Sequence, residues 1–389
     1  MLRRTGVVVV EKSKKEEKEE RIEKSKQEEK EAEKNRNDVL FAELQQNILN
    51  REQIFNMFGE GGFFLGTQSY QNPEVAVIVG GIDVLNDDYG KDSIKIWIGG
   101  EKFLLQNDKK LKSFLRRQYA ACCKLGNHIG FFVCGGYSFL DTEGALTECE
   151  RFIFNKQFNR IEVKVDHMIN PRYQHTCNLM TTGNILIIGG RSDTNPPNKS
   201  AVISPNEMGF ISGRDIKFRH FPFSIIPRFG HTSVLTRNGF LYVFGGKMSN
   251  NNDVLTVEKV QTREHKPKFE QINATMPNAR SEHTAVYLKN NKILLIGGDS
   301  NPYTTDLFDV ETETFEEGPR LLYPRANHFS FILDDGNVLI GGGDRFENDE
   351  KMSDMFKYQI YVTESNEIME GDAYGKLDEK IVGSAFTRF

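Results

Sequence analysis

Six times along this chain a short apolar stretch ends in a pair of glycines, and no other feature restricts its fold as strongly. The copies are VAVIVGG (Val75 to Gly81), FFVCGG (Phe131 to Gly136), ILIIGG (Ile185 to Gly190), LYVFGG (Leu241 to Gly246), ILLIGG (Ile293 to Gly298) and VLIGGG (Val338 to Gly343). Successive copies are spaced by 55, 54, 56, 52 and 45 residues. A near-constant period of this size, with several short strands per unit, predicts a radial repeat of small sheets. One four-stranded sheet cannot bury both of its faces, whereas six packed around an axis can.

A second pattern is locked to the first. Arg172, Arg228, Arg280 and Arg325 each stand 17 residues before the first glycine of a pair. His175, His231, His283 and His328 stand 14 residues before the same glycines, in the strings PRYQHT, PRFGHT, ARSEHT and PRANHF. A weaker copy, RRQYAA around Arg117, has Ala120 in place of the histidine and is one residue longer. Each unit parses into four strands. The first follows the histidine and the second ends at the glycines. Between them lie the turn signals Thr182–Gly183–Asn184, Asn238–Gly239, Asn290–Asn291 and Asp334–Asp335–Gly336, because Asn and Gly tolerate a positive φ. The fourth strand carries Phe218, Phe269 or Phe315 in three copies and Ile161 in another.

The units resemble the kelch repeat. TTDLFDVETETF (Thr304 to Phe315) follows Gly297–Gly298 at the family's distance, with Phe308 and Asp309 in the middle positions and Phe315 where the family has tryptophan. The sole tryptophan is Trp97. The resemblance covers residues 61–389 and implies an all-β, six-bladed kelch-type β-propeller. The tail KIVGSAFTRF (Lys380 to Phe389) is expected to lend a strand to the first blade.

Ahead of the repeats come three segments. Residues 1–10 form a short tail. Residues 11–36 hold ten glutamates and ten lysines or arginines, with Glu11–Lys15, Glu17–Arg21 and Glu20–Lys24 at helical spacing. Only Ile22 and Ala32 are apolar there, so the stretch reads as a solvated helix or spacer, with a coiled coil as the alternative. Residues 37–60 read as an amphipathic helix through Leu40, Phe41, Leu44, Ile48 and Phe55, packed on the propeller or docking another protein.

Net charge is −5, with 50 basic and 55 acidic residues, which is no nucleic-acid signature. Five cysteines without a CxxC suggest neither a disulfide framework nor a zinc site. The four valines near the start are too few for a secretory core, and no stretch is long and apolar enough for a membrane span. The expectation is a cytoplasmic or nuclear protein, not secreted, without a cofactor, metal, nucleic-acid or membrane partner. It would be a monomer or part of a hetero-assembly.

The histidines and the glycine pairs must share one edge of each blade. That edge is expected to form a binding rim of Arg172, His175, Arg191, Arg228, His231, Lys247, Arg280, His283, Asp299, Arg325, His328, Asp344 and Arg345. Two roles compete for the repeated side chains. The histidines order blade junctions and the arginines bond carbonyls of an adjacent blade, or the arginines line a mouth that recognises acidic peptide. A non-enzymatic protein-interaction platform is the leading functional reading. The alternatives are a structural subunit held by the N-terminal helix and, from the kelch resemblance, a sugar-active enzyme of epimerase type. A copper-oxidase type lacks an identifiable cysteine–tyrosine pair.

Overall fold

The computed structural model describes residues 75–79, 91–98, 104–125, 130–138, 144–155, 160–192, 202–212, 215–222, 224, 226–264, 267–344, 356–374 and 385–388. The charged leader, the amphipathic segment with Leu40, Phe41, Leu44, Ile48 and Phe55, and Arg345 lie outside the described residues.

In chain order the strands are β1 (Val75–Val79), β2 (Lys91–Ile98), β3 (Leu104–Arg117), β4 (Ala121–Lys124), β5 (Gly130–Cys134), β6 (Tyr137–Ser138), β7 (Gly144–Ala145), β8 (Glu148–Asn155) and β9 (Arg160–His167). There follow β10 (Thr176–Leu179), β11 (Ile185–Ile188), β12 (Glu207–Ser212), β13 (Asp215–His220), β14 (Thr232–Leu235), β15 (Phe240–Phe244), β16 (Thr256–Gln261) and β17 (Phe269–Thr275). The last are β18 (Thr284–Tyr287), β19 (Lys292–Ile296), β20 (Thr305–Asp309), β21 (Thr314–Glu317), β22 (Phe329–Ile332), β23 (Val338–Gly341), β24 (Gln359–Val362), β25 (Glu367–Glu370) and β26 (Ala385–Arg388). A short helical turn spans Asp372–Tyr374.

These strands make an all-β propeller. Five four-stranded antiparallel blades, β4-β5-β8-β9, β10-β11-β12-β13, β14-β15-β16-β17, β18-β19-β20-β21 and β22-β23-β24-β25, carry described side chains. A sixth four-stranded sheet, β26-β1-β2-β3, is described as backbone, and in it β26 pairs with β1 from Ala76↔Arg388 to Val79↔Ala385. The innermost strands touch in the order β26, β4, β10, β14, β18, β22 and back to β26, so the ring is closed.

The four residues before each glycine pair of the third to fifth blades are apolar because the second strand is covered there on both faces. Ile185 to Ile188, Leu241 to Phe244 and Ile293 to Ile296 are all buried. Side chains from neighbouring blades interdigitate between the sheets. Tyr242 and Phe244 of β15 meet Phe308 of β20 and Phe315 of β21, with Phe308 and Phe315 ring centroids 4.9 Å apart. Each such side chain contributes about 1.5–3 kcal/mol by leaving water. The phenylalanine at the end of the repeat is therefore an inter-blade wedge.

The repeated arginine and glycine pair turn out to be one device. Arg228 Nη1 donates to the carbonyl of Gly245 in its own blade at 3.0 Å, while the N–H of Gly246 donates to the carbonyl of Arg280 in the next blade at 2.8 Å. The same pair of bonds recurs at Arg172 with Gly189, and at Gly190 with Arg228. The guanidinium thus braces its own blade, where an adjacent-blade contact had been expected. The link to the neighbour is made by the arginine's backbone. Gly245 sits at φ 65°, and a Cβ there would stand 2.4 Å from the Arg280 carbonyl oxygen. Gly245→Ala is therefore expected to lower stability by at least about 2 kcal/mol, read as a drop in the urea midpoint.

Candidate functional site: the channel mouth

The four repeat arginines do not line the rim. Arg172, Arg228, Arg280 and Arg325 are fully buried, and so is Arg117 of the weaker copy. Each of the first four in chain order has a buried acid on the third strand of its blade: Arg117 with Glu150 at 3.1 Å, Arg172 with Glu207 at 2.5 Å, Arg228 with Glu258, and Arg280 with Asp306 at 2.7 Å. In the last blade Gln359 stands at the acid's position, and Arg325 donates to the carbonyl of Lys357 at 2.5 Å and to that of Gly342. The acids have a second task. Glu207 accepts the N–H groups of Ile169 and Asn170, and Gln359 accepts those of Leu322 and Tyr323, so each fastens the segment that enters its blade. An arginine so enclosed cannot greet an acidic peptide, and that part of the expected rim is corrected. No fixed spacing in the sequence betrays the acids, because loops of unequal length separate them from the glycines.

The histidines lie inside the channel wall. His231 Nε2 contacts Thr176 Oγ1 at 3.2 Å, His283 Nε2 contacts Thr232 Oγ1 at 2.9 Å and His328 Nε2 contacts Thr284 Oγ1 at 2.8 Å, each partner belonging to the preceding blade. Where the second blade has Ala121 instead of threonine, His175 Nε2 meets the thiol of Cys134 at 3.3 Å. The histidines therefore order blade junctions. Burial, reinforced by the nearby guanidiniums, holds His231 and His283 well below the ordinary imidazole value and His328 at about 3, so these rings are neutral at pH 7. Among the described residues no group of three or more His, Cys, Asp or Glu is arranged to hold a metal.

Above the histidines a collar surrounds the channel. Its members stand two residues after each arginine: Tyr119, Gln174, Gly230, Glu282 and Asn327. All five have left-handed backbones, with φ of 54°, 53°, 64°, 55° and 52°. The reason is a run of four main-chain bonds that steps from blade to blade. The N–H of Gln174 donates to the carbonyl of Tyr119, Gly230 to Gln174 and Glu282 to Gly230, each at 2.9 Å, and Asn327 donates to Glu282 at 2.8 Å. Four side-chain-bearing residues held at positive φ cost about 1–3 kcal/mol each, which only a firmly tied surround sustains. The collar, the histidines, Thr176, Thr232, Thr284, Cys122 and Cys177 together line a cavity of about 250 Å³.

Outside the collar come the residues that follow the glycine pairs: Tyr137, Arg191, Lys247, Asp299 and Asp344. Each donates its N–H to the residue one place after an arginine, as Lys247 does to Phe229 at 2.9 Å and Asp344 to Ala326 at 2.7 Å. Of the expected rim, Arg191, Lys247, Asp299 and Asp344 are thus brought together here. Charge is divided around the mouth. Arg191, stacked over Phe229 at 4.8 Å, and Lys247 occupy neighbouring blades, followed by Asp299 and Asp344 on the next two. Lys247 bridges to Asp299. Burial opposes the charge on Asp299, yet the Lys247 ammonium and bonds from Ser281 hold its carboxyl below the usual range.

Glu282 is the acid of the collar. Gly230 has no side chain, which lets the Gln174 amide reach past it to Glu282 Oε1 at 2.5 Å, and a Cβ on Gly230 would come within 2.8 Å of that oxygen. Burial and the repulsion of Asp299 and Asp344 push the Glu282 carboxyl up to about 7, against the pull of Lys247 and Gln174. Asn327 Nδ2 lies 3.3 Å from Asp344 Oδ2. The buried oxygens Gln174 Oε1 and Asn327 Oδ1 have no hydrogen-bond partner. Glu282, Gln174, Asn327 and Tyr119 were not foreseen, since they occupy the variable places of the repeated strings. The only available signal was their fixed offset from the arginines.

No family model matches the chain. A stretch of 145 residues, 36% of the chain, is 29% identical to the tRNA wybutosine-synthesizing protein 4 of Saccharomyces cerevisiae. The chain matches only 21% of that protein's length. Among solved structures, one described as the structure of YjhT superposes with a TM-score of 0.56 over 76% of this chain and 97% of that one, at 12% identity. That likeness shows the propeller fold.

Proposed function

We propose that this chain is a kelch-type propeller acting as a non-enzymatic protein-interaction platform, with the channel mouth as its gripping surface. One observation carries the reading: the positions that recur from blade to blade and those that differ do separate jobs. Arginine, histidine and the glycine pair recur, and they are spent on bracing blades and junctions. Collar and post-glycine positions share one backbone geometry yet carry a different residue in almost every blade. A rigid frame displaying unlike side chains around one opening is a recognition surface. Beside the carboxyls of Glu282 and Asp344, the buried carbonyl oxygens Gln174 Oε1 and Asn327 Oδ1 offer the mouth acceptors. A partner segment that brings a basic side chain to this sector satisfies them.

The test compares capture of proteins from native extract by the full chain and by variants checked for folding by circular dichroism. Glu282→Ala combined with Asp344→Ala is expected to reduce capture of the main partner at least about tenfold, a loss of some 1.4 kcal/mol or more. Glu317→Ala, on the outer strand β21, is the control and leaves capture unchanged. Equal capture by the mouth variant and the wild type would sink the proposal. Leu44→Asp with Ile48→Asp asks whether the N-terminal segment contributes a contact of its own, as an anchored subunit would require.

A second reading, small-molecule chemistry in the channel, draws on Glu282 alone. A carboxyl that titrates near 7 beside a cavity suits a general acid or base. Turnover of a sugar substrate abolished by Glu282→Gln would favour it over the platform.

A further inference from the structure

The junction between the second and third blades concentrates thiols. Cys123, Cys134 and Cys149 belong to one buried cluster, with Cys177 packed against it. Cys134 and Cys149 face each other across β5 and β8. Cys134 Sγ also contacts His175 Nε2 at 3.3 Å. The shortest thiol contact joins the two blades: Cys123 Sγ of β4 is 3.0 Å from Cys177 Sγ of β10. These are the innermost strands of adjacent blades, and they pack side by side. Nothing in the platform reading uses this cluster.

We propose that Cys123 and Cys177 form a redox modification site, at which hydrogen peroxide entering the channel converts the two thiols into a disulfide between blades. Three observations support it. The sulfurs are already in contact, and reaching the ~2.05 Å of a disulfide requires only a small approach. Cys177 lines the channel cavity and is partly exposed, whereas Cys123 is buried behind it. The reactive and resolving sulfurs are thus distinguished by access. The β10 backbone around Cys177 pairs with β11 only, at Cys177↔Ile187, so its other edge is open to the channel from which the peroxide arrives.

The chemistry balances in two steps. The Cys177 thiolate attacks one peroxide oxygen, the O–O bond breaks, and the departing hydroxide takes a proton to become water, leaving a sulfenic acid. The Cys123 thiolate then attacks that sulfur, the S–O bond breaks, and a second water leaves. Two thiols lose two electrons in all, and one peroxide gains them. Burial pushes the Cys177 thiol well up. The reaction is therefore slow near pH 7 and accelerates up to about tenfold per pH unit as alkali raises the thiolate fraction.

The experiment treats the full chain with hydrogen peroxide, blocks remaining thiols with N-ethylmaleimide and maps the digest by mass spectrometry. The expected product is a peptide pair joined through Cys123 and Cys177, with an intact mass about 2 Da lower and restored by dithiothreitol. Cys123→Ser is expected to leave Cys177 as a sulfenic acid trapped by dimedone. If that variant fails to fold, the map of the wild-type chain decides by itself. Five thiols still open to alkylation after treatment under denaturing conditions, or a link through any other pair such as Cys134–Cys149, would overturn the proposal.

Discussion

Glu258→Leu lowers the unfolding free energy by about 3–5 kcal/mol, because it strands the Arg228 guanidinium in a fully buried place. The change also leaves the Ile226 N–H, which donates to Glu258 at 2.9 Å, without its acceptor. Glu258→Gln is expected to be much milder, near 1–2 kcal/mol, since an amide oxygen still accepts from both groups. The molecule already contains this solution in its last blade, where Gln359 accepts two N–H groups beside a buried Arg325. Urea unfolding of the two variants separates the readings. Equal and small losses would mean that the arginine is held by its carbonyl bonds alone, to Gly245 at 3.0 Å, Thr256 at 3.3 Å and Ile226 at 3.2 Å.

Acid is the second large lever. His231, His283 and His328 are neutral in the fold with values held below the ordinary 6.5, and in the unfolded chain they return to it. Between those limits the unfolded chain binds more protons than the native one, so stability is complete above about pH 6.5 and is lost as pH falls. Each ring contributes up to about 1.4 kcal/mol per pH unit, or roughly 4 for the three. Glu282 has the opposite sign. Its value is raised from 4.5 to about 7, so its contribution is present at low pH and lost as pH rises through 7, and it offsets about one histidine in the interval. The net expectation is a fall of about 2–3 kcal/mol per unit between pH 6.5 and 5, measured from urea midpoints. His283→Gln, if folded, removes roughly a third of the histidine slope. A flat profile over this range would show that the rings titrate without unfolding.

How far the sequence speaks follows from which residues recur at fixed offsets. The glycine pairs, the arginines and the histidines do, and they delineate the blades, the hairpin turns and the common edge on which strand one begins. Gly183, Gly239, Asn291 and Gly336 all have the positive φ that the turn signals anticipate. Recurrence does not mark the rim. A residue repeated in every blade serves what every blade needs, and Arg172 or Arg280 is consumed by its own strand-three acid. The proposed gripping surface sits where repetition fails, at Gln174, Gly230, Glu282 and Asn327. Identity at these places carries no signal, and only the run of backbone bonds reveals that they are equivalent. The acids Glu207, Glu258 and Asp306 escaped for a different reason, the unequal lengths of the loops before them.

The pairing of β26 with β1 has a kinetic consequence. Every other blade is built from strands that follow one another closely, so it can form by local hairpins. The first sheet needs its innermost strand from the far end of the described chain, and that contact carries the heaviest loop-closure entropy in the molecule. Until it is made, β1 presents a bare apolar edge of the sequence VAVIV toward the channel, open to pairing with another chain. The contact with the largest closure cost is thus also the one whose absence leaves an edge open to other copies of the chain, and a peptide matching β26 supplied during refolding is expected to compete for that edge.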